Sequence, residues 1–600
     1  MGKLSMSEER LAGDRGYSLV TDDKCGNSKA KVILVSIISF VIALVIVLCV
    51  VVIKIDKRFG SIPGGPEGEP CVDIAIVGAG LSGAYTAWRL RHKHLRVSVY
   101  EMTDRTGGRL YTTSFPEVPS INLELGAPHF NSRFHPRLME LAKELQLDFH
   151  QSPYCENENN TYYLLRGKVV GFDGLGTHDI PYRLKDDEAK KTPEELIKFY
   201  MEQIVSPENR SDLMYMTTTD GRLLHQQSYL SLLRKTASPE ALRFLQAVNY
   251  RHLMDVSGNA ALLGHLVNKV TFTDNGSLSN ESFQTAGPIL TTTFFENLTW
   301  VNSSTLDSIG EYYTFAHGMS ELPASLIEQF LEASLENHMH HNYKLMGFEP
   351  GDGSYNLYFN ATTLEESNLK ITGMKPTVCA KKIVLAIPPE SMEKLQMSSV
   401  LSSEVTRTLQ TQYRVPKMEV LLLYNGTLFR DNATLWQHLH TDLPLSQVTL
   451  VRPMGAEEKN SDLSNYTVIQ VGIEGKDVDT LLRALDEENF CSKENPECCQ
   501  NYNSSLESFL TVYLKEALNI TDMPAPSKVL LHHWDENIFG TARHVWKPCV
   551  NWDSVSESIM DVASFQSVFI VGSALSPSIK QNSMESALLS VDILFDKGFL

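Results

Sequence analysis

The run Val72-Asp-Ile-Ala-Ile-Val77, followed at once by Gly78-Ala-Gly80-Leu-Ser-Gly83, decides how this chain folds. The first run is apolar and rich in β-branched residues, which is typical of a strand buried on both faces. Ala84–Arg91 has apolar residues at near-helical spacing, and Val97-Ser-Val-Tyr-Glu101 reads as a second strand that ends in an acid. Strand, glycine-rich turn, helix, strand and acid together predict the dinucleotide-binding unit of a doubly wound α/β sheet.

Each residue of this unit has a physical task in the prediction. Gly78 permits the tight turn, Gly80 lets the backbone approach a pyrophosphate, and Gly83 allows close packing of helix on strand. The helix N-terminus, at Ser82, directs its partial positive charge at the phosphates. Glu101 is placed to accept hydrogen bonds from a ribose diol, and its charge would repel the 2′-phosphate of NADP.

Length, charge and cysteine content limit the number of domains and the kinds of partner that this chain can have. A chain of 600 residues is too long for one core, so two or more domains are expected. The formal net charge of -19 argues against nucleic acid or an anionic lipid surface as the main partner. Nine cysteines are too few for a disulfide scaffold of this size, and no metal-ligand set is predicted.

The segment 32–53 predicts a membrane span. Its 22 residues carry no charge, and at about 1.5 Å per residue they would cross a hydrocarbon core of about 30 Å. A cleaved signal peptide is the rival interpretation, but its apolar core is shorter and lies nearer the N-terminus. We therefore expect a cytosolic tail over 1–31, a signal anchor over 32–53 that makes the lipid bilayer a partner, and a stalk over 54–70.

Glycosylation acceptors orient this predicted anchor. All twelve Asn-x-Ser/Thr sites follow the span, which predicts a single-pass type II glycoprotein whose catalytic body is extracellular or lumenal. The seven cysteines after the span would then lie in an oxidising space and form disulfides of undetermined connectivity. The acceptors are Asn159, Asn209, Asn275, Asn280, Asn297, Asn302, Asn360, Asn425, Asn432, Asn465, Asn503 and Asn519.

The run Asp104-Arg-Thr-Gly107-Gly108-Arg109 follows the second strand. With the unit before it, this run resembles the flavin-dependent amine oxidases, the group that holds monoamine oxidases and L-amino-acid oxidases, and within it the molluscan-type L-amino-acid oxidases most. The resemblance implies FAD as cofactor. It also implies that Arg105, Gly107, Gly108 and Arg109 lie along the pyrophosphate and ribityl side of the flavin.

Later segments resemble the same family in the same order. The resemblance implies that Gly126 and Ala127 pass near the flavin ring, and that the closing strand and helix contribute Gly572, Ser573 and Glu585. It further implies an FAD-binding doubly wound domain in several segments plus an α+β substrate domain with a helical insertion. The matching segments are Glu124–Ala127, Phe315–Pro323, Cys379–Pro389, Gly540–Pro548, Val568–Gly572 and Gln581–Leu588.

The predicted domain boundaries follow from these matches. The FAD-binding domain is expected over 71–114, 306–390 and 556–600, the substrate domain over 115–194 and 391–555, and the helical insertion over 195–305.

Three side chains are candidates for a catalytic role by the same resemblance. Lys417 matches a lysine that holds a water near the flavin, although Glu419, on the same strand face, is an alternative for that position. His129 stands where related L-amino-acid oxidases carry an arginine for the substrate carboxylate, and it lacks the guanidinium fork. Trp546 belongs to the family's H-x-W-x-P stretch. Ser573 stands where the family has an acid.

The resemblance implies an oxidase of amines or L-amino acids. Such an enzyme transfers a hydride from the carbon that bears the amine to FAD, water hydrolyses the imine, and O2 is reduced to H2O2. Two alternatives stay open. One is a surface glycoprotein of this fold that has lost turnover, and the other is a flavoenzyme similar to the prenylcysteine oxidases.

Overall fold

The computed structural model of the chain describes residues from Cys71 onward. The predicted tail, anchor and stalk over 1–70 therefore lie outside the described residues. Within 71–600, the residues outside the description are 133–134, 153–159, 178–179, 206–215, 251–265, 269–297, 301–310, 366–367, 398–408, 427–436, 452–464, 487–497, 535–539, 551–566 and 576–582.

A nine-stranded mixed sheet forms the first layer of the fold. Val72–Val77 pairs in parallel with Val97–Tyr100 on one side and with Val378–Leu385 on the other, as expected for a doubly wound core. The spatial order is Asn337–His340, Val97–Tyr100, Val72–Val77, Val378–Leu385, Tyr355–Glu365, Tyr343–Pro350 and Gln396–Met397, with Asn368–Met374 beside Tyr355–Glu365 and Val568–Ile570 beside Val378–Leu385.

The centre of this sheet is apolar on both faces because helices cover it. Ala75 and Ile76 are both fully buried, on opposite faces of the first strand. A disulfide joins Cys71 to Cys379 and so ties the starts of two adjacent parallel strands, which confirms the prediction that the chain forms disulfides. The helices around the sheet are Leu81–Leu90, Pro136–Glu144, Glu321–Ala333, Pro389–Glu393 and Ser583–Asp596.

A seven-stranded sheet forms the second core. Its central strands, Lys417–Asn425 and Tyr466–Glu474, are apolar and pair antiparallel along their whole length. Two helices, Lys476–Asp486 and Cys498–Leu518, supply side chains to the same core. The strands in spatial order are Lys528–Trp534, Lys417–Asn425, Tyr466–Glu474, Gln447–Val451, His438–Thr441, Thr161–Leu165 and Lys168–Gly171.

Smaller elements complete the described fold. The helices Pro193–Ile204, Tyr229–Leu233 and Pro239–Leu245, with the π-helical turn Gln246–Tyr250, lie in or at the edge of the predicted helical insertion. The remaining strands form small sheets: Phe130–Asn131 with Tyr312–Phe315 and Phe149–Gln151, Gln412–Val415 with Arg543–Trp546, Thr112–Thr113 with Leu123–Glu124, and Leu266–Asn268 with Leu298–Trp300.

The predicted membrane localisation is corrected by the structure. Across the described parts of 71–600, no helix combines the length and the apolar character needed to cross a bilayer. The longest of these helices, Cys498–Leu518, has 21 residues but carries Glu507, Lys515 and Glu516. The described residues therefore give no support to the bilayer as a partner or to the extracellular or lumenal placement of a type II glycoprotein.

Candidate functional site

Four parallel strands of the nine-stranded sheet end at one cavity of about 680 Å³. The carboxyl ends of parallel strands are where open α/β sheets bind ligands. In each case the residue at or just after the strand end lines the cavity, namely Gly78, Glu101, Ala386 and Val571.

The glycine-rich turn has the shape that the sequence predicts. Gly78 has a φ of +100°, and a β-carbon there would lie 2.6 Å from the carbonyl oxygen of Ala386. A β-carbon on Gly83 would lie 1.9 Å from the carbonyl oxygen of Gly78, so the close packing of helix on strand here requires glycine. Gly80 differs, since a β-carbon there would meet nothing nearer than the Cα of Gly108 at 3.8 Å. Gly80 faces the cavity.

The helix Leu81–Leu90 begins at the cavity wall. Gly80 is its N-cap residue and no side chain caps it, so the first-turn N–H groups are available to a ligand. Leu81 and Ser82 line the cavity beside them. An anion such as a pyrophosphate is stabilised at such a helix end by N–H donors and by the helix dipole.

Glu101 is fixed in the first part of the cavity by its own hydrogen bonds. Its Oε2 accepts from the backbone N–H of Ala79 at 2.9 Å, and its Oε1 accepts from the backbone N–H and the hydroxyl of Thr103 at 3.1 Å and 2.9 Å. The side chain is 9% exposed and lines the cavity. An ionised carboxylate has about four acceptor positions, so it retains capacity for a ribose diol.

The loop from Arg105 to Arg109 packs directly on the glycine-rich turn. Gly107 donates its backbone N–H to the carbonyl of Ala79 at 2.9 Å and has a φ of +109°. Arg105 donates to the carbonyl of Gly108 at 2.9 Å and lies over the ring of Tyr111. These contacts hold the two arginines of the loop at opposite ends of a glycine pair that faces the cavity.

Arg109 connects the N-terminal motifs to the closing strand. Its Nη2 donates to the hydroxyl of Ser573, and Gly572 and Ser573 both line the cavity. Gly126 packs behind it, because a β-carbon there would lie 2.0 Å from the carbonyl oxygen of Arg109. Ala127 continues the same wall.

Lys417 lines the far end of the cavity, on the seven-stranded sheet. Its Nζ lies 2.5 Å from Glu419 Oε1 and 3.6 Å from Glu474 Oε1. Burial alone would lower the pKa of Lys417, but these carboxylates outweigh burial and the net shift is upward. Lys417 is therefore an ammonium ion, and Glu419, the alternative candidate, lies behind it as its partner.

Arg543 and His129 also line the cavity. Arg543 Nη2 lies 3.2 Å from Glu474 Oε1, so Lys417 and Arg543 share one acid. His129 is in edge-to-face contact with Tyr312, with ring centroids 4.6 Å apart.

Two residues predicted for the site lie elsewhere. Trp546 is not among the residues that line the cavity; it is 2% exposed and packs in the core that contains Leu409 and Val415. It lies two residues beyond His544, about 7 Å farther along the same strand. Glu585 accepts instead from the backbone N–H groups of Arg137 and Leu138, at 3.1 Å and 3.4 Å, at the start of the helix Pro136–Glu144.

Sequence reasoning missed several residues of the cavity wall. Trp534 donates its indole N–H to the carbonyl of Leu125 at 2.7 Å and comes to the site through strand pairing opposite Lys417. His544 lines the cavity and contacts the buried carboxylate of Glu390 at 2.7 Å. Arg543 directly precedes His544, so the H-x-W-x-P resemblance was the one sequence signal that pointed to this pair.

The cavity wall is basic. Among the described residues that line it, the one carboxylate is Glu101, near the glycine-rich turn, and six side chains are Lys or Arg. Such a surface favours anionic groups on a ligand. The six are Arg105, Arg109, Lys344, Lys394, Lys417 and Arg543.

The residues that line the cavity suit the successive parts of an FAD molecule. The uncapped helix end and the open face of Gly80 suit a pyrophosphate, and Glu101 suits the adenosine ribose. Ser573 and Arg109 offer a hydroxyl and a guanidinium farther along the same cavity.

Relatives of the chain span most of its length. It is 26% identical to achacin of Lissachatina fulica, over 89% of this chain and 94% of that protein. It is 25% identical to aplysianin-A of Aplysia kurodai, over 89% and 92% of the two chains.

Solved structures share the fold. Cyclohexylamine oxidase from Brevibacterium oxydans matches with a TM-score of 0.56 at 15% identity, over 88% of this chain and 99% of that one. Residues 79–590 match the family model described as flavin containing amine oxidoreductase, which confirms the family predicted from the sequence and, with it, FAD as the cofactor. The chain is a member of the flavin containing amine oxidoreductases.

Proposed function

We propose that this protein is an FAD-dependent oxidase of free α-amino acids. The observation that carries the proposal is the continuity of one cavity. It runs from the glycine-rich turn and Glu101 on one sheet to Lys417 and Trp534 on the other, with Arg109 between them. A ligand bound along the first part would present its other end to the second part.

The residues that would hold FAD all line this cavity. The first turn of the helix Leu81–Leu90 and the Gly107–Gly108 pair would bind the pyrophosphate, and Glu101 the ribose. Arg109 and Ser573 would bind the ribityl side. Gly126 and Ala127 would lie against the ring.

When bound, FAD supplies the redox chemistry: it accepts two electrons and a proton, as a hydride, from the substrate carbon and returns them to O2. The amino acid loses the hydride and an N–H proton to become an imine, water converts the imine to a 2-oxo acid and ammonia, and O2 with two electrons and two protons becomes H2O2. Lys417, as an ammonium ion, would hold the water at the far end of the cavity through its N–H donors.

The donor side chains at the far end of the cavity are the reason for preferring amino acids to simple amines or polyamines. Lys417 and Arg543 line the cavity with N–H donors, which a substrate carboxylate can accept from and a second ammonium group on the substrate cannot. Arg543 presents a planar guanidinium there, which suits two-point binding of a carboxylate. His129 offers a weaker partner, because an imidazole lacks that fork.

A substrate panel tests the proposal. Purified protein loaded with FAD is incubated in air with the common L-amino acids, their decarboxylated amines, a polyamine and a prenylated cysteine, and peroxide and ammonia are measured. We expect both products, in equal amounts, from amino acids. Turnover of the prenyl thioether alone would contradict the proposal and favour a prenylcysteine-oxidase-like enzyme. A folded protein that takes up no flavin would favour a binding protein of this fold without turnover.

A further inference from the structure

Arg109 lies at the cavity without a direct carboxylate partner among the described residues. Its Nη2 donates to the neutral hydroxyl of Ser573, and its Nη1 lies 3.5 Å from the carbonyl of Ala542 and 3.4 Å from His544 Nδ1. The hydroxyl of Ser573 is neutral, so this contact does not balance the charge of the guanidinium.

His544, which Arg109 contacts, is itself in contact with a carboxylate. His544 Nε2 lies 2.7 Å from Glu390 Oε2, and the exposed fractions of the two side chains are 2% and 0%. Glu390 Oε1 also accepts from the backbone N–H of Thr541 at 2.6 Å and from its hydroxyl at 3.2 Å. Both carboxylate oxygens of Glu390 are therefore hydrogen-bonded inside the protein.

The donors and acceptors determine the proton positions. A guanidinium only donates, so the Nδ1 of His544 facing Arg109 must be an acceptor. The single N–H of a neutral imidazole is then on Nε2, where it donates to Glu390. Burial lowers the pKa of His544, and the pKa of Glu390 falls to about 2: burial would raise it, but the hydrogen bond from His544 and the other donors outweigh burial. A neutral histidine between a carboxylate and a guanidinium is consistent with both directions.

The backbone around this pair is closely packed. Glu390 lies in the short helix Pro389–Glu393, just after the strand Val378–Leu385 ends at the cavity. Gly540 has a φ of +80°, and a β-carbon there would lie 2.6 Å from Pro388 and 3.0 Å from Glu390 Oε1. The segment that carries Thr541 and His544 is thus closed onto the Glu390 turn.

We propose that Glu390, acting through His544, positions Arg109 toward FAD. Glu390 and His544 are positioning residues here, and Arg109 is the group that meets the cofactor. The proposal goes beyond the amino-acid oxidase function. It depends only on FAD binding, so it can fail or hold independently of the substrate.

FAD affinity of the apoprotein tests this without turnover. Flavin is removed from the full chain, and Kd for FAD is measured by quenching of flavin fluorescence. Glu390→Gln keeps the shape of the side chain and removes its charge, and we expect Kd to rise about 10- to 100-fold, as for loss of a charge-assisted hydrogen bond. Adding Ser573→Asp to that variant places a carboxylate directly against Arg109, and we expect Kd to return to within about threefold of the wild-type value.

A matched control separates positioning from simple loss of stability. Glu188 is also buried and fully hydrogen-bonded, to Tyr200 and Ser238, but it does not line the cavity. Glu188→Gln is expected to lower the melting temperature of the apoprotein while leaving Kd for FAD within about twofold. Unchanged Kd in Glu390→Gln, or no recovery in the double variant, would overturn the proposal.

If Glu390→Gln does not fold, His544→Gln is used as the test instead. This variant breaks the contact between Glu390 and Arg109 through His544 and leaves the carboxylate of Glu390 in place. A rise in Kd of about tenfold or more in that variant supports the proposal, and a wild-type Kd overturns it. A wild-type protein that binds FAD but oxidises no amino acid would contradict the proposed function alone.

Discussion

A β-carbon at position 83 would lie 1.9 Å from the carbonyl oxygen of Gly78. This single contact sets how closely the first helix approaches the first strand, and therefore where the helix N-terminus faces the cavity. Gly83→Ala must push the two elements apart, and we expect a loss of about 3 kcal/mol in the free energy of unfolding, measured with denaturant.

Gly373 provides the control for that substitution. It lies on the edge strand Asn368–Met374, and a β-carbon there would meet nothing within 4 Å. Gly373→Ala should change the free energy of unfolding by less than about 0.5 kcal/mol. Equal effects at the two positions would show that close helix–strand packing is not what glycine provides at 83.

Glu101 is expected to select the ribose of FAD. Glu101→Gln removes the charge that a ribose diol would contact, so Kd for FAD should rise about 10- to 100-fold in fluorescence titrations of the apoprotein. The same change at the exposed Glu336 is the control and should leave Kd within about twofold. An unchanged Kd for FAD in Glu101→Gln would show that Glu101 does not bind the ribose.

Arg543 is expected to bind the substrate carboxylate. In Arg543→Met, kcat/KM for phenylalanine should fall about 10- to 100-fold through loss of a charge-assisted contact, with Kd for FAD unchanged. Phenethylamine lacks the carboxylate, so any turnover of it should not fall.

His129→Gln is the competing test for the carboxylate site. If that variant loses phenylalanine turnover selectively while Arg543→Met does not, His129 is the carboxylate partner and the assignment to Arg543 is wrong. Arg243→Met, on the surface and paired with Glu240, should leave both substrates unaffected.

Glu124 makes stability depend on pH. Burial raises its pKa from 4.5 to about 7, although the backbone of Met319 and the hydroxyl of Thr112 donate to it. The folded protein therefore binds this proton more tightly than the unfolded chain does, so its contribution to stability is greatest below pH 4.5 and is lost as pH rises to about 7.

Glu124→Gln removes this titration. Relative to the variant, the wild type should lose about 3 kcal/mol of unfolding free energy between pH 4.5 and 7, and no more above that. Urea unfolding at a series of pH values measures the difference. Parallel stability curves for the two proteins would contradict a raised pKa at Glu124.

The part of the site that is local in sequence could be predicted, and the part that depends on distant strand pairing could not. The strand Val72–Val77 and its glycine-rich turn are as expected, and the predicted strand Val97–Glu101 is observed over Val97–Tyr100. The helix begins at Leu81, three residues before the apolar spacing of Ala84–Arg91 starts, because Gly80 ends the turn and acts as N-cap.

Distant contacts explain what was missed or misplaced. Trp534 reaches the cavity because its strand pairs with that of Lys417, a register that no local pattern encodes. Glu390 meets His544 across 154 residues. Trp546 and Glu585 fit family motifs in sequence, but Trp546 packs in the core and Glu585 binds the start of a neighbouring helix.

Anaerobic mixing of the FAD-loaded protein with phenylalanine tests whether one cavity holds both the cofactor and the amino acid. The long-wavelength flavin absorption should bleach with phenylalanine, more slowly or not at all with phenethylamine, and return when O2 is admitted, with one H2O2 formed per flavin. Flavin that stays oxidised with every amino acid, in protein that binds FAD stoichiometrically, would contradict an amino-acid oxidase.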